Sequence, residues 1–513
     1  MQRFLQRHAA SVIGTLGGFD RLLFRGTLMS ICHVRGMDKF LGSRRVLYKD
    51  YAAFAKQLSS RLRDHAEELA QREGRRYQHL PSARESKEQV ACRIMEEDGI
   101  KEGLICVLSC VEPCQTISVK PDAASKRLKL VAQERKCLHL YFYYMDREFG
   151  LMHVRLQTWL PMPIQVCLNG REYLARRMEA AGIGFEQRDN CFVRIDDLPA
   201  AQKMLDELIY RRWERTLNAL AKRVNPLAGK RGGLDLRGYY WSIRESEYAT
   251  DVMFKEGASL KAIYPDLVDY AMKRMDSQEV LRFLARRTNS RFSGEITSDI
   301  AVRQEGMRIK HRVEENSIKM YDKQGSVLRI ETTMNNPRRF KAWRRVRRKG
   351  KTQMAWIPMR KGLADIKRRI TICQAANERY LDALSVVGES QPLQRLLDPV
   401  SRPVVDKGRR YRALRPITPY EAAVFAAVMS GSFLLRGFTN RELGLKLGTV
   451  LPLDAAGRRR ESTRMTRLLR LLRAHGLIAK VSGTRYYRTT ASGRLIMSAA
   501  LQVRSVDVGQ LAA

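Results

Sequence analysis

The stretch from Gln391 to Pro419, QPLQRLLDPVSRPVVDKGRRYRALRPITP, limits most strongly what this chain can become. Its five prolines each fix φ and remove a backbone donor, so no long helix or central strand can run through it. With its cluster of cations it reads as a linker over 391–417, and it divides the 513 residues into a large part and a C-terminal domain, 418–513. The large part divides again by pattern. Residues 1–101 read as a short strand pair followed by basic helices, and 102–390 as a main body carrying a basic run. The predicted class is multidomain α/β (α+β), with a mixed sheet and surrounding helices.

Charge narrows the function. Lys and Arg number 94 against 54 Asp and Glu, a net charge of +40, with 44% hydrophobic residues. A folded chain relieves such self-repulsion by binding a polyanion, and each phosphate neutralised releases counterions. DNA is the expected partner, with structured RNA as the alternative. No membrane partner is expected, because the longest apolar stretch, Ala422 to Leu435, is too short to span a bilayer. The N-terminus makes no signal peptide, and nine dispersed cysteines suit a reducing compartment, so the protein is expected in the cytoplasm. Cys106, Cys110 and Cys114 are evenly spaced and Cys137 lies two residues from His139, but no CxxC pair occurs. GLICVLSCVEPC reads as a buried strand rather than a zinc site. The oligomeric state stays open, a dimer being among the forms allowed.

Local patterns place further elements. Tyr48 to Gly74 has helical periodicity and a glycine stop; GLICVLSCV, KCLHLYFYYMD and GLMHVRLQTWLP read as strands, the last two joined by the turn DREFG. A helix is expected from a capping Asn169 to a glycine, then a helical middle, and a long amphipathic helix over Lys361 to Val387. After Thr418 come a helix, a short helix capped by Thr439, a charged loop ending in GRRR, a helix over Glu461 to Ile478, and AKVSGTRYYRTT as two strands around Ser482 and Gly483. This order, with HGLI…YRTTASGR, resembles the winged helix-turn-helix of MarR-like regulators and many mobile-element proteins. Met465, Leu468, Leu469 and Leu472 would bury one stripe, leaving Arg464, Arg467 and Arg470 for the major groove and Arg485 and Arg488 for phosphate or minor groove.

The segment SIKMYDKQGSVLRIETTMNNPRRFKAWRRVRRKGK, Ser317 to Lys351, carries the chemistry. Its first half reads as a β-hairpin. Its second half sets nine cations among fourteen residues from Arg338 to Lys351 without an acid. Arg338, Arg339, Lys341, Arg344, Arg345, Arg347, Arg348 and Lys349 would hold phosphates, with Trp343 placed to stack on an unpaired base; the alternative is a solvated basic helix. A two-residue turn at Gln324–Gly325 pairs Ile318 with Glu331 and puts Asp322 and Glu331 on one face, roughly 13 Å apart. That is too far for one shared ion, so acids must come from elsewhere. Candidates are Asp20, between VIGTLGGF and RLLFRGTL, Asp146 with Glu148 in the aromatic hairpin turn, and Asp251 in EYATDVMF. Two-metal phosphodiester chemistry needs three or four carboxylates about 4 Å apart around its ions.

Two resemblances sharpen these candidates. The strand–Asp20–strand arrangement looks like the opening of an RNase H-like nuclease or transposase core, which implies Asp20 as an Mg²⁺ ligand. KMYDKQGSVLRIE is similar to the Tyr-acid-Lys … Arg-x-Glu hairpin of rolling-circle replication initiators, which implies Tyr321 as a nucleophile and Glu331 as a metal ligand. In the two-residue register Tyr321 points away from Glu331 unless Ser326 adds a bulge. No HUH motif, Walker A loop, HExxH or GxSxG occurs. The expectation is a DNA-binding, Mg²⁺-dependent cutting or nicking protein of a bacterial mobile element, with catalytic candidates Asp20, Asp146, Asp322, Glu331 and Tyr321 and metal ligands Asp20 and Glu331. The alternatives are a non-enzymatic regulator or origin binder, and a ribonucleoprotein component acting on DNA.

Overall fold

The computed structural model describes the chain apart from residues 229–233, 235, 237, 276, 285–293, 304–305, 349, 388–392, 431–432, 434–436, 449–454, 482 and 506–513. Two compact units result: Met1–Pro265 with Thr297–Ser385, and Asp266–Ile296 with Val386–Ala513. No helix among the described residues is long and apolar enough to cross a membrane.

The first unit is built on one sheet. In chain order its first strands are β1 (Val12–Thr27), β2 (Arg76–Leu80), β3 (Gly103–Asp122), β4 (Arg127–Asp146), β5 (Gly150–Gln157) and β6 (Ile164–Asn169). After a small hairpin, β7 (Phe185–Arg188) and β8 (Cys191–Ile195), come β9 (Tyr240–Phe254), β10 (Ile296–Arg303), β11 (Gly306–Val313), β12 (Asn316–Lys323) and β13 (Val327–Met334). The spatial order is β10-β11-β12-β13-β9-β1-β6-β5-β4-β3-β2. β2 joins β3 in parallel, whereas the pairs from β11 across to β3 run antiparallel. Two expectations are corrected here. The N-terminal strand pair is one 16-residue strand, and it lies inside the sheet instead of in a domain of its own. The middle is not purely helical, because β9 runs between β1 and β13.

Helices follow their local signals. α1 (Gln2–Arg7), α2 (Val34–Ser43), α3 (Tyr51–Arg72) and α4 (Lys87–Glu97) precede α5 (Gly170–Ala181). Asn169 caps α5 by accepting from Arg171 and Glu172, and Gly182 ends it at φ 69°, the left-handed region where a Cβ is penalised. α6 (Leu198–Glu207), α7 (Trp213–Val224), α8 (Gly257–Lys273) and α9 (Ser277–Phe283) follow, and α10 (Ile366–Leu384) lies against β9 and β13. The turn after β4 is the short one expected, pairing Asp146 with Gly150. Cys114 on β3 and Cys137 on β4 are joined by a disulfide, which their dispersed spacing did not suggest.

The basic run is not a helix. Lys341–Arg348 and Lys351–Pro358 form β14 and β15, a two-stranded antiparallel ribbon separate from the main sheet. Within the second unit, α11 (Leu393–Leu397) and the hairpin β16 (Val404–Asp406) with β17 (Arg409–Tyr411) occupy the expected linker. Leu397, Val400 and Leu414 sit in the same core cluster as Phe425, Leu443 and Leu472, so the described part of the expected linker, from residue 393 on, is folded and not a bare tether. α12 (Pro419–Val428), α13 (Asn440–Lys446) and α14 (Ala455–Ala474) are followed by the hairpin β18 (Ile478–Lys480) with β19 (Tyr487–Thr489) and by α15 (Ala491–Ser505). GRRR belongs to α14 instead of a loop. Thr439 and Glu442 cap α13 reciprocally, as a Ser/Thr-x-x-Glu sequence does when two orphan N–H groups need partners.

Candidate active site

The β12–β13 hairpin turns one residue later than a two-residue loop would. Lys323 pairs with Val327, and Gln324 and Gly325 both hold positive φ while Ser326 is the extra residue. A one-residue slip sends every side chain to the opposite face. Asp322 therefore pairs with Leu328 and leaves the face of Glu331, while Lys319 pairs with Glu331 and Tyr321 with Arg329. The expectation that Asp322 and Glu331 share a face is overturned, and Tyr321 joins Glu331 in its place. Its hydroxyl donates to Glu331 Oε2 at 2.5 Å.

Asp20 reaches the same face through a bulge. On β1, Phe19 pairs with Tyr248 and Arg21 with Glu247, so Asp20 is an unpaired extra residue. Such a bulge re-aims one side chain without breaking the strand. Gly170 makes room for it, since a Cβ there would lie 1.9 Å from the Phe19 carbonyl oxygen. Along β9, Ser246, Tyr248 and Thr250 alternate with Glu247 and Asp251. Period two places the acids on the face of Asp20 and Glu331.

Three carboxylates from neighbouring strands converge. Asp20, Glu247 and Glu331 each offer an oxygen, and these atoms lie within 4.8 Å of one another. Asp20 and Glu331 are buried, and the Glu247 side chain is 16% exposed, which leaves one approach from solvent. Cations interleave with them. Lys319 Nζ lies 2.5 Å from Glu331 Oε1 and 3.2 Å from Glu247 Oε1. Arg21 pairs with Glu247 and Glu245. Behind them Arg329 holds Asp251 through two bonds of 2.6 and 2.9 Å and reaches Asp20 at 3.3 Å. Arg171 donates to Asp251 at 3.0 Å. The β7–β8 turn lies over this layer, with the Asn190 amide donating to Asp20 and its carbonyl accepting from Arg329.

The electrostatics separate the three acids. Burial raises the Asp20 pKa; Arg329 opposes this, but Glu331 and Asp251 repel a second charge, and the net shift is upward. Glu247 is likewise raised, by burial and by Glu331, against the pull of Lys319 and Arg21. Burial also pushes Glu331 up, but Lys319, the Tyr321 hydroxyl and Arg329 more than cancel it, and its carboxyl is held below the usual range. Burial is the first cause acting on all three, and at Glu331 alone the neighbouring cations and the Tyr321 hydroxyl outweigh it. Hard oxygen donors at this spacing fit a hard divalent cation such as Mg²⁺. Lys319 stands between two of them, so such an ion would share or take its place.

A cleft of about 770 Å³ adjoins Glu247 and Lys319. It is lined by Arg244, Lys310, Arg312, Arg338 and Lys361, with Glu245, Glu314 and Glu315 among them. Burial and neighbouring cations push the Lys310 and Lys361 pKa values down, which a bound anion would reverse.

Other expected residues lie elsewhere. Asp146 accepts from the backbone of Glu148 and Phe149 and closes the β4–β5 turn, while Glu148 pairs with Arg211. Neither belongs to the cluster. Tyr321 lies beside the cluster, where its hydroxyl donates to Glu331, and burial and Glu331 raise its phenol far above its ordinary value. Lys341, Arg345 and Arg347 are exposed on the ribbon, Arg339 pairs with Glu314, and Arg344 pairs with Asp365. Lys349 and the Arg348 side chain lie outside the described residues, as does Ser482 of the expected β18–β19 turn. On α14 Met465, Leu468, Leu469 and Leu472 are buried and Arg467 and Arg470 exposed, while Arg464 pairs with Glu461. Arg485 is exposed and Arg488 half-buried.

Sequence reasoning missed Glu247, Lys319, Arg171 and Asn190. The alternating RESEYATDV was the available signal for β9, but a helical reading of its surroundings hid it. In the second group of possible ligands, Cys114, Cys137 and His139, the disulfide ties up both sulfurs. Searches against protein-family models, curated proteins and solved structures find no match to this chain.

Proposed function

We propose that this chain is a DNA-binding protein of a bacterial mobile element that cuts or nicks DNA with Mg²⁺ at Asp20, Glu247 and Glu331. One observation carries the reading: three carboxylates on adjacent strands meet beside a cleft lined with cations. Asp20 and Glu331 would hold the ion from the sheet, and Glu247 would complete the set at the cleft mouth. A bound Mg²⁺ supplies an activated water and neutralises charge on the phosphate oxygens. Arg244, Lys310, Arg312, Arg338 and Lys361 would hold the backbone phosphates, and the crowding of their charges is what a polyanion relieves. The second unit would choose the DNA site. The helix–helix–helix–hairpin order supports a winged helix, with Arg467 and Arg470 exposed on the helix that would enter the major groove.

A second reading has its own support. Lys319 already bridges Glu247 and Glu331, as an internal ammonium does in a structural network. In that case the chain binds DNA, or structured RNA, without cutting it.

Supercoiled plasmid and unpaired DNA incubated with Mg²⁺, Mn²⁺ or chelator separate the two. Metal-dependent nicking is expected; binding without any nicking would move the assignment to the second reading. Arg467→Ala and Arg470→Ala should each weaken site-specific binding by about 1–3 kcal/mol where they make a bidentate base contact. If both bind like the wild type in competition assays, α14 is not the reader. The structure also changes how the second unit can be removed. A cut near Arg415 would split the core that holds Leu397, Val400 and Leu414, so point variants are the cleaner test.

A further inference from the structure

We propose that the β14–β15 ribbon is a stacking platform for an unpaired nucleic-acid strand. The inference rests on the nucleic-acid reading above but not on cleavage. Trp343 and Trp356 sit directly opposite each other across the ribbon. They are 49% and 61% exposed, with ring centroids 5.5 Å apart and planes tilted by 50°. The next pair along the same face is Arg345 with Met354, then Arg347 with Thr352, and Lys341 lies on the other side of the tryptophans. All of these residues are exposed. The sequence from Lys341 to Pro358, KAWRRVRRKGKTQMAWIP, contains no carboxylate.

The opposite face of the ribbon is used differently. Ala342 is buried, and Arg344 donates to Asp365 and to the Pro358 carbonyl. Asp365 also accepts from Arg368 and from the backbone of Arg360, so one carboxylate gathers the ribbon root, the chain leaving it and the first turn of α10. The ribbon is thus anchored at its root on one face while the other holds two large aromatic rings in water. Folding alone gives no return for that exposure, and exposed apolar surface of this size marks an interaction site.

Charge selects the partner. Aromatic rings flanked by exposed guanidinium groups match a strand that offers both π faces and phosphates. A duplex hides its base faces inside the stack, whereas an unpaired strand presents them. At the ribbon root, Arg338 and Lys361 line the cleft that also holds Glu247 and Lys319. A strand stacked on the tryptophans therefore has cations to follow toward the carboxylates.

The test uses the full chain in chelator, where no cleavage can interfere. Binding of a labelled unpaired DNA, an unpaired RNA and a blunt duplex is measured by anisotropy, and binding to anionic vesicles by co-sedimentation. The Trp343→Ala/Trp356→Ala double variant should bind the unpaired strands at least about tenfold more weakly, since stacking contributes on that order per base. Its duplex affinity should stay within about twofold of wild type, and Trp343→Phe/Trp356→Phe should recover most of the loss. Loss confined to DNA, or shared by DNA and RNA, tells which strand the platform accepts. Unchanged affinity for both unpaired strands, an equal loss on duplex, or a loss on vesicles alone would overturn the proposal. A ribbon defect in a protein that never cleaves would leave the platform standing and remove the metal site instead.

Discussion

The central strands of the sheet bury polar groups on both faces, by opposite rules. Under α10 most groups are neutral and bonded to one another, with one exception, the buried Arg369 guanidinium, whose Nε has no hydrogen-bond partner among the described residues. Asn377 donates to the carbonyls of Tyr248 and Ile330 and to Thr250, and accepts from Thr332, so one amide ties β9 to β13. His311 meets Tyr380 and Ser298, and Arg369 donates to the Ile243 and Met334 carbonyls and to Ser246. On the other face the groups are carboxylates and cations in a shared network, with Asp20 and Glu247 raised and one side open to the cleft. Neutral donors and acceptors that close on each other stabilise a fold. Crowded charges cost desolvation and are a poor way to do so. The first face reads as architecture and the second as chemistry.

The sharpest way to break this contrast is at Glu331. Glu331→Gln keeps the shape but has one acceptor oxygen, so it can accept from Lys319 or Tyr321 and not from both as the carboxylate does, and it removes the charge a cation needs. Metal-dependent cleavage should fall by about a hundredfold or more. Asp20→Asn should repeat the loss, and the double variant should be no worse than either single one, because residues acting as one unit are not additive. Full cleavage by a folded Glu331→Gln protein would remove it from the site; full cleavage by Asp20→Asn as well would turn the charged face into architecture too.

Asn377→Ala probes the other side. It leaves two carbonyls and two hydroxyls short of partners, and the first unit should lose about 2–3 kcal/mol in denaturant unfolding. Cleavage measured well below the melting point should stay near native. A cleavage defect without a stability defect would mean that the two faces are not separable.

The smallest expected effect is a pH dependence. Burial pushes the His311 pKa down from 6.5 to about 4, so the unfolded state takes up its proton first as pH falls. The group binds more protons unfolded than folded in that window, and stability therefore drops as pH falls from 6.5 toward 4. His311→Gln should lessen the loss between pH 6.5 and about 5 by about 1–2 kcal/mol. Burial lowers His139 and His153 to about 4 as well, so part of the dependence should remain. An unchanged slope would mean that His311 charges inside the fold.

Part of this arrangement was legible in the sequence because its causes are local. Asn169 and Gly182 bound α5, Thr439 with Glu442 caps α13, and Met465, Leu468, Leu469 and Leu472 bury one stripe of α14. Each rests on residues a turn or two apart, where propensity and hydrogen bonding act without help from the rest of the chain. The charge of +40 is likewise a property of composition alone. The candidate site is another matter. Asp20 and Arg329 are 309 residues apart and meet only because β1 and β13 flank β9. A single residue, Ser326, moved Asp322 off the face of Glu331 and brought Tyr321 onto it. A bulge opposite Glu247 and Tyr248 aimed Asp20. Strand order and register are set by the packing of whole faces, in which a shift of one residue inverts every side chain. The sequence named two of the three carboxylates as residues; only the tertiary structure decided that they meet, and that Glu247 is the third.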